Sequence, residues 1–414
     1  MRFIGRNKLF ITLVIIIIPI ILFTECISKN QKEIAITNNQ GQQFSGSAAC
    51  VNCHKEIFEN FTHTAHFITS QAASEKTIKG DFSDGKNTFQ YLYYTIVAME
   101  KRDSGLYQVL YDHNAEKMAK RFDMVIGSGT RGQTFGSWEN NKIFQLPVSY
   151  LTPTDTWCNS PGFPKYEPLF SRRITVRCLE CHSTYFKDLS TESHPQEFDQ
   201  NQIIYGVQCE SCHGPGEKHV EFQKQNPGEI KAKYIINPSL FTRQQKLDLC
   251  SYCHDNKSKS GKSAFGFIPG DTLIKIEEMV NAPLDTQHID VHGNQYGLLL
   301  ASKCFKMTNS LECNTCHNTH QQERGNLKLF SERCMTCHSE TSGNFCKMTE
   351  LPASVIKINC IDCHMPKKQS KTLTLELEGK PKNIPATLRS HFITVYPNES
   401  MNYISLLKSS GVKK

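Results

Sequence analysis

Seven copies of Cys-x-x-Cys-His, a hydrophobic content of only 38%, and one long run of alternating β-branched and aromatic segments set the expected fold class. They predict a mainly α/irregular multihaem fold wrapped around covalent haems, with a small antiparallel β insert. In each five-residue word, two thiols form thioethers to the porphyrin vinyl groups, and the histidine that follows supplies one axial ligand to the iron. The words are Cys50, Cys53, His54; Cys178, Cys181, His182; Cys209, Cys212, His213; Cys250, Cys253, His254; Cys313, Cys316, His317; Cys334, Cys337, His338; and Cys360, Cys363, His364. Zinc ribbons also use paired cysteines, but they need no histidine directly after the second thiol, and they take ligands in fours. A disulfide framework fails because Cys-x-x-Cys rings are mostly redox-active rather than structural. The expected cofactors are therefore seven covalently bound c-type haems.

Composition agrees with a core made partly of porphyrin. The six words from Cys178 to His364 leave too little chain between them for an ordinary layered core, so the macrocycles act as staples for short helices and loops. The formal charge is +7. Removing residues 1–25 deletes Arg2, Arg6, Lys8 and Glu25, three positive charges and one negative, which leaves +5. Each oxidised haem contributes about −1 once its two propionates ionise, bringing the loaded protein to about −2. Basic side chains thus have propionates to meet, and no aromatic-interleaved basic patch suggests nucleic acid.

Taken in order, residues 1–26 read as a signal peptide of lipoprotein type: a basic start, the apolar run Leu9–Phe23, then Cys26 as the lipidation site. Glu25 departs from the small residue usual at that position; the bland alternative is a short uncleaved anchor. Residues 27–45 are polar and read as a flexible tether. Segment 46–88 carries the first word, with Ile57, Phe58 and Phe61 at helical spacing beyond it. His66 lies too far along that helix to serve its own iron and points to a neighbouring haem.

Segment 89–165 is the β-rich insert. Phe89–Ala98, Leu106–Tyr111, Lys120–Ile126 and Lys142–Val148 predict strands between Asp-Gly, Asp-Ser-Gly and Asn-Asn turns. Val125-Ile-Gly-Ser-Gly-Thr-Arg-Gly-Gln resembles a phosphate loop but lacks its Gly-Lys-Ser/Thr ending, so a tight turn is expected. Trp157 to Pro164 is expected to close the insert as a loop. Segment 166–368 is the multihaem domain, with a helix from Pro238 to the fourth word and a strand or two in Phe265–Ile276. His288 and His292 precede Gly-Asn-Gln-Tyr in a loop, and His292 is a candidate distal ligand. Segment 369–414 is a basic, extended tail that offers His391 as another.

Several phrases extend beyond the bare haem word. They include Cys50-Val-Asn-Cys-His-Lys-Glu-Ile-Phe with Thr-Ala-His66, and Cys209-Glu-Ser-Cys-His-Gly-Pro-Gly with His219. Asn237-Pro-Ser, Cys313-Asn-Thr-Cys-His-Asn-Thr-His320 and Cys360-Ile-Asp-Cys-His-Met-Pro continue the pattern. In these phrases the chain resembles the multihaem c-type cytochrome family of the cytochrome c-554/c-prime type. The resemblance implies closely packed haems with mostly bis-histidine irons, and distal ligands at His66, His219, His320 and His391.

Sixteen histidines, seven of them in the words, leave nine for seven distal positions. Two imidazoles per iron close it to substrate, and such haems move electrons without making or breaking bonds. The first expectation is therefore an exported, membrane-tethered electron carrier. It would sit on the periplasmic or cell-surface side of a bacterial membrane, with a quinol oxidase or terminal reductase as redox partner, and copies of itself as a further partner. The alternative is an oxidoreductase of the hydroxylamine/nitrogen-oxyanion or tetrathionate type with one open haem; no catalytic residue stands out. Among the remaining thiols, Cys304 is expected to pair with Cys158 or Cys346 if any disulfide forms.

Overall fold

The computed structural model describes residues 35–255, 263–273, 289–379 and 382–411. Cys26, the signal segment and His288 lie outside the described residues. Short strands dominate the region after the first word: β1 (Ser70–Ala72), β2 (Thr88–Gln90), β3 (Thr95–Arg102), β4 (Gly105–Asp112), β5 (Ala115–Arg121), β6 (Met124–Ile126), β7 (Gly132–Glu139), β8 (Lys142–Gln145), β9 (Val148–Leu151) and β10 (Thr156–Asn159). One antiparallel sheet runs β2-β3-β4-β5; the other runs β1-β6-β7-β9-β10, with β8 paired to β7. Two-residue turns set the hairpin registers. His113 and Asn114, both at positive φ (50° and 61°), join Asp112 to Ala115. That is the backbone twist a tight antiparallel hairpin requires.

The two sheets enclose an aromatic core. Trp157, Phe122 and Phe135 are buried, with Phe82 packed against them. Trp157 donates its indole N–H to the Asp81 carbonyl at 2.9 Å. Gly80 lies so close to the indole that a Cβ there would meet Trp157 Cζ2 at 2.1 Å. Gln108 bridges the sheets, giving Nε2–H to the Val148 carbonyl (2.6 Å) and accepting from the Val148 N–H (3.1 Å). This pair of bonds satisfies a buried amide that would otherwise be costly.

Two further hairpins carry the chain between functional histidines. β11 (Ser183–Asp188) starts immediately after His182 and pairs with β12 (Phe198–Tyr205), which leads to Cys209. β13 (Lys367–Leu375) follows His364 and pairs with β14 (Ile384–Arg389), which ends just before His391. The words themselves fall on or beside short helices: Ser47–Cys50, Val176–His182, Cys209–His213, Arg243–His254, Cys313–Cys316, Leu327–Met335 and Ile361–His364. The longest of these begins with a Thr242/Gln245 capping box, which supplies partners for its first free N–H groups.

Several expectations change. With fourteen strands in four sheets among the described residues, the mainly α reading does not hold. The helices are short, and the chain uses hairpins as its connectors. Phe89–Ala98 splits into β2 and β3 around a loop in which the Gln90 amide donates to the carbonyls of Tyr91, Tyr93 and Thr95. Trp157 and Cys158 sit in strand β10 rather than a closing loop, because the aromatic core draws that segment inward. β1 pairs with β6, so the sheet recruits residues ahead of position 89. Residues 263–273 hold no strand. The tail is the β13–β14 hairpin followed by helix Pro397–Ser409, which grips the last word through Asn359 Nδ2 and Tyr403 Oη at 2.8 Å. No disulfide joins Cys158, Cys304 and Cys346. Cys158 is fully buried beside Leu151 and Leu375, where desolvation pushes its thiol pKa up to about 12.

Trp157→Ala removes the centre of the aromatic core and orphans the Asp81 carbonyl. Denaturant unfolding is expected to show a loss of about 3–5 kcal/mol.

Candidate haem-binding array

Three imidazole pairs share one separation. His213 and His320 have ring centroids 6.1 Å apart and nearly parallel planes (24°). His317 and His391 repeat this at 6.1 Å and 28°. His66 and His254 are also 6.1 Å apart, with planes at 67°. Two imidazoles on opposite faces of one metal ion, each bonded at about 2 Å, place their ring centroids about 6 Å apart. Each pair joins one histidine of a haem word to one histidine outside the words. A fourth partner, His292, lies within electrostatic reach of His182.

The other ring nitrogens are placed in a matching way. Nδ1 of His213 hydrogen-bonds to the Ile236 carbonyl at 2.9 Å, that of His338 to Asn344 at 3.1 Å, and that of His364 to Thr394 at 3.0 Å. His182 Nδ1 bonds to Thr69 Oγ1 at 2.9 Å. A donor proton held at Nδ1 leaves Nε2 with the lone pair that a metal takes, and it orients the ring. Burial lowers the pKa of His66, His182, His292, His317 and His320, and takes His391 down to about 4. Neutral imidazoles are what metal ligation requires.

The thiols of different words also come together. Cys50 touches Cys209, and Cys250 touches Cys313. Cys212 is within electrostatic reach of Cys250, Cys316 of Cys337, and Cys334 of Cys360. The second word joins at the fourth, where Tyr252 donates its hydroxyl to Glu180 Oε1 at 2.7 Å. The words therefore follow one another in space as first, third, fourth, fifth, sixth and seventh, with the second branching from the fourth. Beside His213 lies a cavity of about 580 Å³ whose wall includes Tyr234, Ile235, Ile236, Phe265 and Phe267. The wall also carries polar side chains, including Gln42, Gln43, Glu210 and Lys218, and a cleft of that size falls in the range of cofactor sites. Paired thiols, lone-pair imidazoles at metal-spanning distance and a cleft with an aromatic wall beside His213 all fit covalent haem.

Residues 163–214 match the family described as cytochrome c554 and c-prime. The multiheme cytochrome MtrA of Shewanella baltica (strain OS185) is 25% identical over 202 residues, covering 48% of this chain and 47% of that protein. The chain thus spans about half the length of that curated relative. The crystal structure of the outer cell wall cytochrome OcwA superposes with a TM-score of 0.50 at 16% identity, covering 90% of this chain and 82% of that one. The chain is a multihaem c-type cytochrome.

Of the five distal candidates in this cytochrome, His66, His320, His391 and His292 are set near a word histidine. His219 is not in ring contact with one; its Nδ1 bonds to the Lys233 carbonyl at 2.9 Å, which leaves Nε2 available. His113 packs against Tyr94 at the tip of the insert, and Ser193 caps His194 in an exposed loop.

The residues that seat the histidines were not evident beforehand. Gly206, at φ +69°, lies against the His66 segment: Val207 N–H donates to the His66 carbonyl at 2.9 Å, and a Cβ on Gly206 would meet the Phe67 carbonyl oxygen at 2.0 Å. Glu210, inside the third word, is 5% exposed. It accepts from the N–H groups of Ser45 (2.8 Å), Gly46 (3.0 Å) and Gly216 (2.7 Å), tying the first word to the third. Asp290 accepts from the N–H of His292 at 2.9 Å, and from Lys371 N–H (2.8 Å) and Thr372 N–H (2.7 Å) of β13. Burial opposes its ionisation, but these donors outweigh burial and hold its carboxyl near pH 2. The His292 loop is thereby pinned to the hairpin behind the last word. A carboxylate inside a haem word, or two residues ahead of a candidate ligand, is the one sequence signal that could have found Glu210 and Asp290.

Gly206→Ala is expected to push the His66 segment away from His254, at a cost of about 1–3 kcal/mol. Electron paramagnetic resonance of the haem-loaded protein would show a new high-spin fraction. Glu210→Ala strands three backbone donors and is expected to cost about 3 kcal/mol or more in thermal unfolding.

Proposed function

We propose that this cytochrome is an exported carrier of seven haems, moving electrons along the branched series of words between respiratory partners. The observation that carries this reading is the common 6.1 Å spacing of three imidazole pairs built from remote segments. Haem supplies one-electron iron redox chemistry at each such site. The pairs His213 with His320, His317 with His391 and His66 with His254 would hold the metal between two imidazoles and keep substrate and water from it, while the fold holds neighbouring words in contact. A rigid seat for both imidazoles also keeps reorganisation small when charge changes, which suits transfer rather than bond chemistry.

Export follows from the signal-like start and from haem attachment to reduced Cys-x-x-Cys-His, which takes place outside the bacterial cytoplasm. Among the described residues no helix is long and apolar enough to cross a membrane. Acylation at Cys26 would supply the membrane tether. A quinol oxidase or a terminal reductase would supply or accept the electrons. A second reading, an oxidoreductase with one open iron, attaches to His54, His338 and His364. Among the described residues none of these three is in ring contact with another imidazole.

Electron paramagnetic resonance of the oxidised, haem-loaded protein separates the two readings, together with carbon monoxide addition to the reduced form. The carrier reading expects only low-spin signals, no ligand uptake, and a mass seven haems above the apoprotein. A high-spin signal from about one iron in seven, lost when a small ligand binds, would replace it with the enzyme.

A further inference from the structure

Among the described residues, four side-chain polar atoms are buried without a hydrogen-bond partner: Arg243 Nη2, Gln295 Oε1, Tyr296 Oη and His391 Nδ1. A buried donor left without an acceptor bears the full desolvation penalty of that group, so such atoms are rare and call for an explanation. These four converge on one place. The helix Arg243–His254 packs against the helices Gln295–Ala301 and Cys313–Cys316. Leu247, Tyr296, Leu299, Leu300 and Phe305 form one buried cluster there, with Cys313 and Ile393 packed against it. The His391 segment is fastened to the same cluster. The Ser302 hydroxyl donates to the His391 carbonyl at 2.9 Å and accepts from the Ile393 N–H at 2.8 Å.

Arg243 is seated on this cluster by contacts that leave one end of its guanidinium unanswered. The group lies over the Phe305 ring, 4.4 Å from the centroid, and its Nε donates at 3.0 Å to the carbonyl of Leu311, two residues before Cys313. Its Nη2 has no acceptor. On its own helix, Arg243 stands seven residues before Cys250 and eleven before His254, which puts all three on one face. Tyr296 is 4% exposed and enters the cluster from the next helix, its hydroxyl equally unanswered. Both donors therefore sit at the junction of the fourth and fifth words. Two carboxylates nearby are engaged elsewhere. Glu312 accepts from Lys246 at 3.2 Å, and Asp248 accepts from the Gln244 amide (2.8 Å) and the Leu273 N–H (3.0 Å). Burial lowers the pKa of Arg243, as expected of a cation short of an anionic partner.

We propose that Arg243 Nη2 and Tyr296 Oη donate to one propionate carboxylate of a haem carried by the fourth or the fifth word. A carboxylate has acceptor lone pairs for both donors, and its charge matches the guanidinium. A propionate reaches this depth because the macrocycle carries it in, whereas a free anion would have to shed its water to enter. The pairing also anchors the helix Gln295–Ala301, which belongs to no haem word, to the cofactor. It rests on the haem reading given above.

The test uses the full-length, haem-loaded protein and its Tyr296→Phe, Arg243→Gln, Arg243→Lys and double Tyr296→Phe, Arg243→Gln variants. Redox titration followed by paramagnetic resonance reads the haem signals separately. Tyr296→Phe and Arg243→Gln are each expected to lower the midpoint potential of the same one haem, because a carboxylate without its donors disfavours the reduced, more negative state. The double variant should shift it by less than the sum, since both donors serve one group, and Arg243→Lys should keep part of the wild-type potential. Comparison with His66→Gly and His391→Gly, which perturb the signals of the fourth and fifth haems, shows which macrocycle supplies the propionate. Thermal unfolding gives an independent reading. Tyr296→Phe keeps the ring and is expected to lower the melting temperature of the loaded protein. A hydroxyl with no acceptor predicts the reverse, because its removal relieves a buried unsatisfied group. Unchanged potentials, shifts at two different haems, or a raised melting temperature for Tyr296→Phe would each overturn the proposal. The haem mass and low-spin count of the wild type test the haem reading separately, so failure of this pairing and failure of that reading give different results.

Discussion

An iron held between two imidazoles needs its second ligand from the opposite face of the macrocycle, and a chain cannot supply that from within the same short haem word. This constraint organises the molecule. In the fold His254 faces His66 from beyond the first word, His213 faces His320 from beyond the fifth, and His317 faces His391 from the tail. Each of these three pairings crosses to a remote segment and ties two parts of the chain together. A protein built this way needs few long helices, because bound haem would make at the metal the cross-links that helix packing otherwise provides.

The remaining architecture delivers these crossings. β11 and β12 carry the chain from His182 to Cys209, and β13 and β14 return it from His364 to His391. Antiparallel hairpins suit this task because their ends come back close to where they began and their register limits the freedom of the loop they close. The first-word segment is positioned differently, by Gly206 packing on the Phe67 carbonyl and by the carboxylate of Glu210 gathering N–H groups from Ser45, Gly46 and Gly216. Buried carboxylates thus serve as joints between words. Ion pairing of Asp362 with Arg389 (2.6 Å) and of Glu323 with Arg333 repeats the device near the fifth and last words.

That usage bears on the electrostatics of the loaded protein. The excess of cations is modest, and many lysines and arginines are already matched to surface carboxylates, where each pair contributes little.

The chemistry of the chain was legible from its residues alone. A thiol pair followed by histidine is a covalent grammar that needs no fold to be recognised, and a histidine at a fixed offset beyond a word, such as His66 or His320, declares itself as spare ligand. Alternating apolar patterns likewise marked the strands of the insert. The mates of those histidines, the spatial order of the words, the strand at Trp157 and the joints at Glu210, Gly206 and Asp290 were not legible. Each depends on contact between segments far apart in the chain, where a single carbonyl or carboxylate is shared, and local periodicity carries no information about such contacts. The sequence by itself determined which thiols and imidazoles are offered to the cofactor; only the tertiary structure decided which imidazole faces which, because that choice is made by the packing of remote backbone against backbone.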